Sequence, residues 1–317
     1  MNFETIEQAF HLIWENTQLL SNQLKTSLYD ALIEQNGYYL EGKEETPTIK
    51  ENNSKLHHLS LSKEEWRKTF EYLFIKINQY EKLQTNHQFT PDAIGFLILF
   101  LMETLTADKP LTVIEMGSGT GNLAQTIITN SKKELTYLGI ELDDLLIDLA
   151  ASISEIIDSS VSFFQADAVR PHILKESDVI ISDLPVGYYP NDAIASRYQV
   201  VAKEGHTYAH HLMMEQAVKY LKEDGVAIFL APVNLLTSKQ RDSLKHWLID
   251  AVDLLGVITL PENIFGSKEN AKSLFLMRKK SHKSIKTFVY PISDLQNKES
   301  LVDFMGNFKK WVKDHYN

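Results

Sequence analysis

Cysteine is absent from this chain of 317 residues. That rules out disulfides, a cysteine nucleophile and any thiolate-ligated metal. Long apolar runs are missing as well. The longest stretch of note, Ala93 to Met102, spans 10 residues, short of the roughly 18 that read as a membrane span, and suits a buried helix. The start Met1-Asn2-Phe3-Glu4 has neither the basic residues nor the apolar core of a secretory signal, so a cytoplasmic location is expected. Positive charge is scarce: 32 Lys and Arg stand against 42 Asp and Glu, a net charge of −10. Non-specific affinity for nucleic acid comes largely from phosphate neutralisation. A nucleic-acid contact therefore needs a local basic groove or a separate recognition partner. Only Lys268 to Lys286 is locally basic, with seven Lys and Arg against Glu269 alone. No repeat or low-complexity tract is evident, and the hydrophobic share of 44% is that of an ordinary globular protein.

What is present begins at Val113-Ile114-Glu115-Met116-Gly117-Ser118-Gly119-Thr120-Gly121-Asn122. An apolar run ends in an acid, a glycine turn follows, and Leu123 onwards reads as a helix. Glycines here admit positive φ and a close ligand. Such a strand–turn–helix unit holds a nucleotide-like ligand at the carboxyl end of the first strand of a doubly wound sheet. Leu135 to Glu141 is a second strand ending in a carboxylate, suited to accept from ribose hydroxyls. Val161 to Gln165 is a third, running into Ala166-Asp167-Ala168. Asp167 either accepts from an adenine amino group or caps the next turn. Asp143 and Asp144 are helix-start residues.

The spacing E-x-G-x-G-x-G differs from that of dinucleotide binders, which disfavours a nicotinamide dehydrogenase. It resembles motif I of the class I S-adenosylmethionine-dependent methyltransferases. The resemblance implies a Rossmann-like α/β fold with a seven-stranded sheet and helices on both faces, and S-adenosyl-L-methionine as cofactor. The cofactor residues it implies are Phe89, Thr90, Glu115, Gly117, Gly119, Gly121, Asn122, Glu141, Leu142, Asp167, Ala168 and Asp183.

A fourth strand, Asp178 to Ser182, leads into Asp183-Leu184-Pro185-Val186-Gly187-Tyr188-Tyr189-Pro190. This resembles motif IV of the amino-methyltransferases, Asn/Asp/Ser-Pro-Pro-aromatic. An acceptor side chain and a backbone carbonyl hold a planar amine in line with the methyl group, so positioning is the main catalytic device. Asp183 and Pro185 match, Leu184 stands for the first proline and Val186 for the aromatic. Tyr188 or Tyr189 would supply the stacking face. Asp183, Pro185, Tyr188 and Tyr189 are thus the candidate catalytic residues, and no metal site is expected despite His206, His210 and His211.

The resemblance covers about residues 86–280. His87-Gln88-Phe89-Thr90-Pro91 looks like the opening of the adenine-specific DNA methyltransferases, above all the modification subunits of type I restriction systems. Met213 to Pro232 resembles that family's helix, turn and fifth strand, Leu255 to Phe265 its strand with Leu-Pro-x-x-x-Phe, and Lys272 to Lys280 its closing strand. A group of single-chain adenine-methylase-like proteins from Gram-positive bacteria shares Asp-Leu-Pro-Val-Gly-Tyr-Tyr-Pro. The implied activity is N-methylation of adenine N6 in DNA or of a related planar amine, with DNA favoured over RNA as substrate and a protein partner for target recognition. The altered motif IV keeps open a catalytically silent, cofactor-binding partner protein on the same fold.

Upstream, apolar residues at helical spacing from Phe3 to Leu32 predict two helices. Gly42 to Leu59 is polar and reads as a loop. Ser62 and Glu65 form a capping-box signature before a helix through Phe70, Phe74 and Ile77. The chain divides on this reading into a helical accessory domain, 1–85, and a methyltransferase domain, 86–317. Tyr188 to His211 is long enough to be a lid.

Overall fold

A computed structural model describes residues 1–42, 46–82, 89–281 and 285–316. His87 and Gln88 lie outside the described residues. The chain opens with four helices, α1 (Phe3–Leu24), α2 (Leu28–Glu41), α3 (Pro47–His58) and α4 (Lys63–Tyr80). Next come α5 (Asp92–Leu105), β1 (Leu111–Met116), α6 (Asn122–Asn130), β2 (Leu135–Glu141), α7 (Asp144–Ile157), β3 (Val161–Gln165) and β4 (Ser177–Asp183). The remainder comprises α8 (Asp192–Ala195), α9 (Ala209–Lys219), β5 (Leu221–Pro232), α10 (Arg241–Ala251), β6 (Val252–Thr259), β7 (Lys272–Lys279), β8 (Phe288–Pro291) and α11 (Lys298–Trp311).

The strands run in the order β3-β2-β1-β4-β5-β7-β6-β8. β2, β1, β4 and β5 run parallel to one another, while β7 lies antiparallel between β5 and β6. The order reverses between β1 and β4, the switch point at which open α/β sheets bind ligands. Among the described residues the sheet has eight strands rather than the seven expected. The additional one, β8, pairs in parallel with β6 from Gly256↔Phe288 to Thr259↔Pro291. Its four residues are too few to show an alternating pattern in the sequence.

Packing divides the chain into two compact units. The first takes in Met1–Thr90, Ser118–Asn130 and Glu141–Gln165; the second takes in Pro91–Gly117, Ser131–Ile140 and Ala166–Asn317. Helices α1 to α4 therefore share a unit with α6, α7 and β3. The core of the first unit joins Ile13, Leu32, Phe70 and Phe74 to Leu149, Ile153 and Ile157 of α7. The capping box of α4 is present, with Ser62 and Glu65 each accepting from the other's backbone.

The loop expected over Gly42 to Leu59 contains helix α3 instead. Thr46 caps it by accepting from the Ile49 amide, Pro47 stands in its first turn, and Ile49 and Leu56 are buried. Its other buried residues are Asn52 and Asn53. Asn16 Nδ2 donates to Gln35 Oε1 at 2.9 Å and to Asn53 Oδ1 at 3.2 Å. Gln35 Nε2 donates to Asn53 Oδ1 at 2.7 Å, and Asn52 Nδ2 to Asn16 Oδ1 at 2.9 Å. Buried polar groups are tolerated when hydrogen-bonded, so an amide network does here what an apolar stripe does elsewhere. A search for hydrophobic periodicity passes over it.

In the second unit, Ile114, Met116, Ile180, Leu184, Phe229 and Phe275 share one core. At the amino end of β4, Asp178 Oδ2 accepts from Thr112 N at 2.9 Å, Thr112 Oγ1 at 2.8 Å and Lys222 Nζ at 2.8 Å. Lys109 Nζ reaches Oδ1 at 3.1 Å. Burial alone would raise this carboxyl, but the bonds from Lys222, Thr112 and Lys109 outweigh it and hold it well below the usual carboxylate range. Among the described residues no helix is long and apolar enough to cross a membrane.

Candidate active site

The glycine turn follows β1 directly. Gly117, with φ +72°, donates to Ile140 O at 2.8 Å and anchors the turn to the end of β2. In the first unit, Gly119 and Gly121 also have positive φ, +53° and +76°, but for different reasons. A Cβ on Gly121 would stand 3.0 Å from both Ala150 Cβ and Phe163 Cζ, so packing requires that glycine. A Cβ on Gly119 would meet nothing within 4 Å. Packing makes no demand there, and the space above Gly119 is open.

Glu141 borders that space. Its Oε2 accepts from Gly119 N at 2.8 Å, and its Oε1 from Leu142 N at 2.8 Å and Asp143 N at 3.0 Å. Three amides thus fix the carboxylate, which offers about four lone-pair directions. Among the described residues the buried hydroxyls of Ser118 and Thr120 find no hydrogen-bond partner. An open cradle, a fixed carboxylate and two unpaired hydroxyls fit a ligand with hydroxyl and amino groups, as S-adenosylmethionine has. Asn122 Nδ2 donates to Thr90 O at 2.7 Å, tying Thr90 to the start of α6. Phe89 packs on Phe74 with ring centroids 5.7 Å apart, and Leu142 is exposed.

In the second unit, Glu115 is buried and accepts from Tyr137 Oη at 2.8 Å. Burial, and then the Glu115 charge, push the Tyr137 phenol well above its ordinary value. Asp167 caps the turn after β3, accepting from Val169 N at 3.0 Å, while Ala168 is buried. Its Oδ2 takes the Tyr189 hydroxyl at 2.7 Å. Burial and this bond push the Tyr189 phenol up to about 12. Tyr189 thereby joins the motif IV segment to Asp167 and is itself buried.

Asp183 ends β4. Both its Oδ1 and the carbonyl of Leu184 accept from one amine, Lys272 Nζ, the second at 3.3 Å. Leu184 has a structural reason to stand where the motif has proline. Its N–H donates to Leu230 O at 2.9 Å, which extends the β4–β5 ladder, and its side chain is fully buried. Proline has no such donor. The Pro185 carbonyl instead lies near the His210 ring, where it favours the protonated form. The carbonyl sharing a donor with Asp183 is therefore that of Leu184, one residue before the expected position.

Beyond this turn, Tyr189 N donates to Thr207 O at 2.8 Å and Ala209 N to Gly187 O at 2.9 Å. These bonds lay Tyr188 against Tyr208, rings stacked at 4.9 Å, and Tyr208 in turn against His210 at 5.0 Å. Tyr188 stays exposed and lines a cavity of about 450 Å3 with Lys203, His206, Lys239 and Gln240. Burial pushes His210 down to about 4 and His211 to about 3, so both rings are neutral near pH 7. The segment expected as a lid is packed in place: Tyr198 is buried and donates to Gln216 Oε1 at 2.8 Å, and Val200 N donates to Glu215 at 3.1 Å.

Sequence reasoning missed Lys272 and His210 as neighbours of motif IV. Lys272 is 89 positions from Asp183, and its arrival depends on how β7 is threaded. The signal was the basic run from Lys268, which stands out in an otherwise acidic chain.

The model of the N-6 DNA Methylase family matches residues 62–309. The chain is 32% identical over 327 aligned positions to the uncharacterized protein YtxK of Bacillus subtilis strain 168, with 99% of each chain covered. Among solved structures it superposes on a candidate class I S-adenosylmethionine-dependent methyltransferase from Listeria monocytogenes, with a TM-score of 0.88 and 26% identity over 98% of this chain and 99% of that one. The methyltransferase subunit of a type I restriction-modification system from Streptococcus thermophilus shares the fold, at a TM-score of 0.69 and 14% identity, over 96% of this chain and 74% of that one. The chain therefore belongs to the N-6 DNA methylase family, with the fold of an S-adenosylmethionine-dependent methyltransferase and S-adenosyl-L-methionine as its cofactor.

Proposed function

We propose that this chain methylates the exocyclic N6 amine of adenine in DNA, with a separate protein supplying target recognition. The observation that carries this reading is the pair of acceptors at the end of β4. Asp183 Oδ1 and Leu184 O converge on a single amine nitrogen, here that of Lys272, as an amino-methyltransferase needs. When bound, S-adenosylmethionine supplies an electrophilic methyl group. By the family resemblance, Gly117, Gly119, Glu141, Phe89, Thr90, Asn122, Leu142, Asp167 and Ala168 are proposed to hold it. Asp183 and Leu184 O orient the amine by accepting its hydrogens, which aims the nitrogen lone pair away from them. Tyr188 offers an exposed face for the base, and such stacking is worth roughly 1–3 kcal/mol. A duplex target must first be flipped out, at a few kcal/mol. The net charge of −10 supports a partner that carries the phosphate contacts.

Two measurements test this reading. Gly119→Leu fills the open space; it should cost about 1–2 kcal/mol of backbone strain yet abolish cofactor binding in calorimetry. Unchanged affinity would remove the turn from the site. Methyl transfer from labelled cofactor is then followed on adenine-containing DNA, RNA and protein. Asp183→Ala should lower transfer to DNA at least about a hundredfold, roughly 2.7 kcal/mol in the barrier, while cofactor affinity is retained. Cofactor binding with no turnover on any of the three substrates would select the alternative, a silent partner protein. The occupation of both acceptors by Lys272 favours that alternative.

A further inference from the structure

β7 runs antiparallel to β5, so its first residue reaches the edge of the sheet where the parallel strands end. Lys272 pairs with Pro232 at the end of β5, and Asp183 pairs with Leu230 on the other side of β5. The two residues thus stand on strands about 10 Å apart, with one strand between them. A long side chain is needed to cross that gap, and Lys272 does so with its ammonium on Asp183 Oδ1 and Leu184 O. Both side chains are 15% exposed.

An ammonium outcompetes a neutral aromatic amine for a carboxylate, because charge-assisted hydrogen bonds are about twice as strong as neutral ones. A bare planar amine cannot displace Lys272 from this pair. Nor can Lys272 leave without a new counter-charge, since an unpaired half-buried ammonium is costly. A substrate that carries an anion within the sweep of the lysine side chain meets both conditions, because its phosphate receives the displaced lysine while its amine takes the acceptors.

We propose that Lys272 is the specificity-determining residue of the transfer site, restricting it to amines whose molecule also carries a phosphate, as in nucleotides, and excluding free nucleosides and protein amides. This rests on the proposed amine-transfer reading. In affinity terms, the fraction of sites with Lys272 displaced multiplies the affinity for any amine, and a phosphate raises that fraction.

The test compares adenosine and adenosine 5′-monophosphate as ligands of the protein saturated with demethylated cofactor, using calorimetry on the parent and Lys272→Met. The parent should prefer the monophosphate, and the variant should bind adenosine at least about tenfold more tightly than the parent does. If Lys272 were only a phosphate contact, the variant would lose monophosphate affinity and leave adenosine unchanged; that result overturns the proposal, as does no change with either ligand. Lys272→Met removes the counter-charge that the lysine gives Asp183, so Asp183→Asn with Lys272→Met serves as the charge-neutral second variant, and the same gain for adenosine is expected. Melting curves establish that each variant is folded. Failure of the parent to bind the demethylated cofactor would instead bring down the transfer reading itself, and this proposal with it.

Discussion

β4 carries an aspartate at each end, and the two are used in opposite ways. At the amino end, Asp178 is held by Thr112, Lys222 and Lys109, all near neighbours across the adjoining strands. Several donors converge on one carboxylate, and its value is structural. At the carboxyl end, Asp183 is reached by a lysine from two strands away, and that lysine shares itself with a carbonyl. The contrast teaches that a buried ion pair is not in itself evidence of either stability or function. Converging local donors point to structure, and a long-range donor at the ligand-binding edge of a sheet points to a site.

The comparison can be broken by mutation at either end. Asp178→Ala strands two lysines and a threonine, and should cost about 3 kcal/mol of stability in urea denaturation. Cofactor affinity per folded molecule should be unchanged; a drop there would mean the amino end also serves the site. Asp183→Asn keeps an acceptor for Lys272 and should cost less, about 1 kcal/mol in the same measurement.

Acid sharpens the same contrast. The folded state holds His210 and His211 neutral, with values depressed from 6.5 to about 4 and about 3. Below pH 6.5 the unfolded histidines take up protons and the folded ones do not, so stability falls with pH across that window. The slope is about 1.4 kcal/mol per pH unit for each ring. Asp178, held well below the usual range, retains its contribution until the pH drops beneath the ordinary carboxylate value. At pH 5 the segments 185–190 and 207–211 should therefore exchange amide hydrogens faster, relative to pH 7 and after correction for intrinsic rates, than 109–113 does. His211→Leu should roughly halve the pH slope of the melting temperature; an unaltered slope would show that the acid sensitivity arises elsewhere.

Much of the fold was legible because its signals are local. The bounds of β2 and β3 follow from apolar runs that end in acids or polar turns, and Asp143 and Ser62 cap the helices their spacing suggests. The glycine turn was legible as a turn. Which glycine faces open space and which faces Phe163 depends on packing that the spacing does not encode. Leu184 looked like a defect in a motif until its N–H was seen to continue a strand ladder. Lys272 was hidden by distance along the chain. Helix α3 escaped notice because hydropathy scores a buried asparagine as surface.

That buried amide cluster has a consequence for how the sequence can drift. Asn16, Gln35, Asn52 and Asn53 each need the others' donors or acceptors, so no one of them can turn apolar without orphaning its neighbours. The positions are locked into covariation: across descendants they are expected to persist or to change as a set, and a chimera that exchanges α3 alone would inherit a mismatched set of partners.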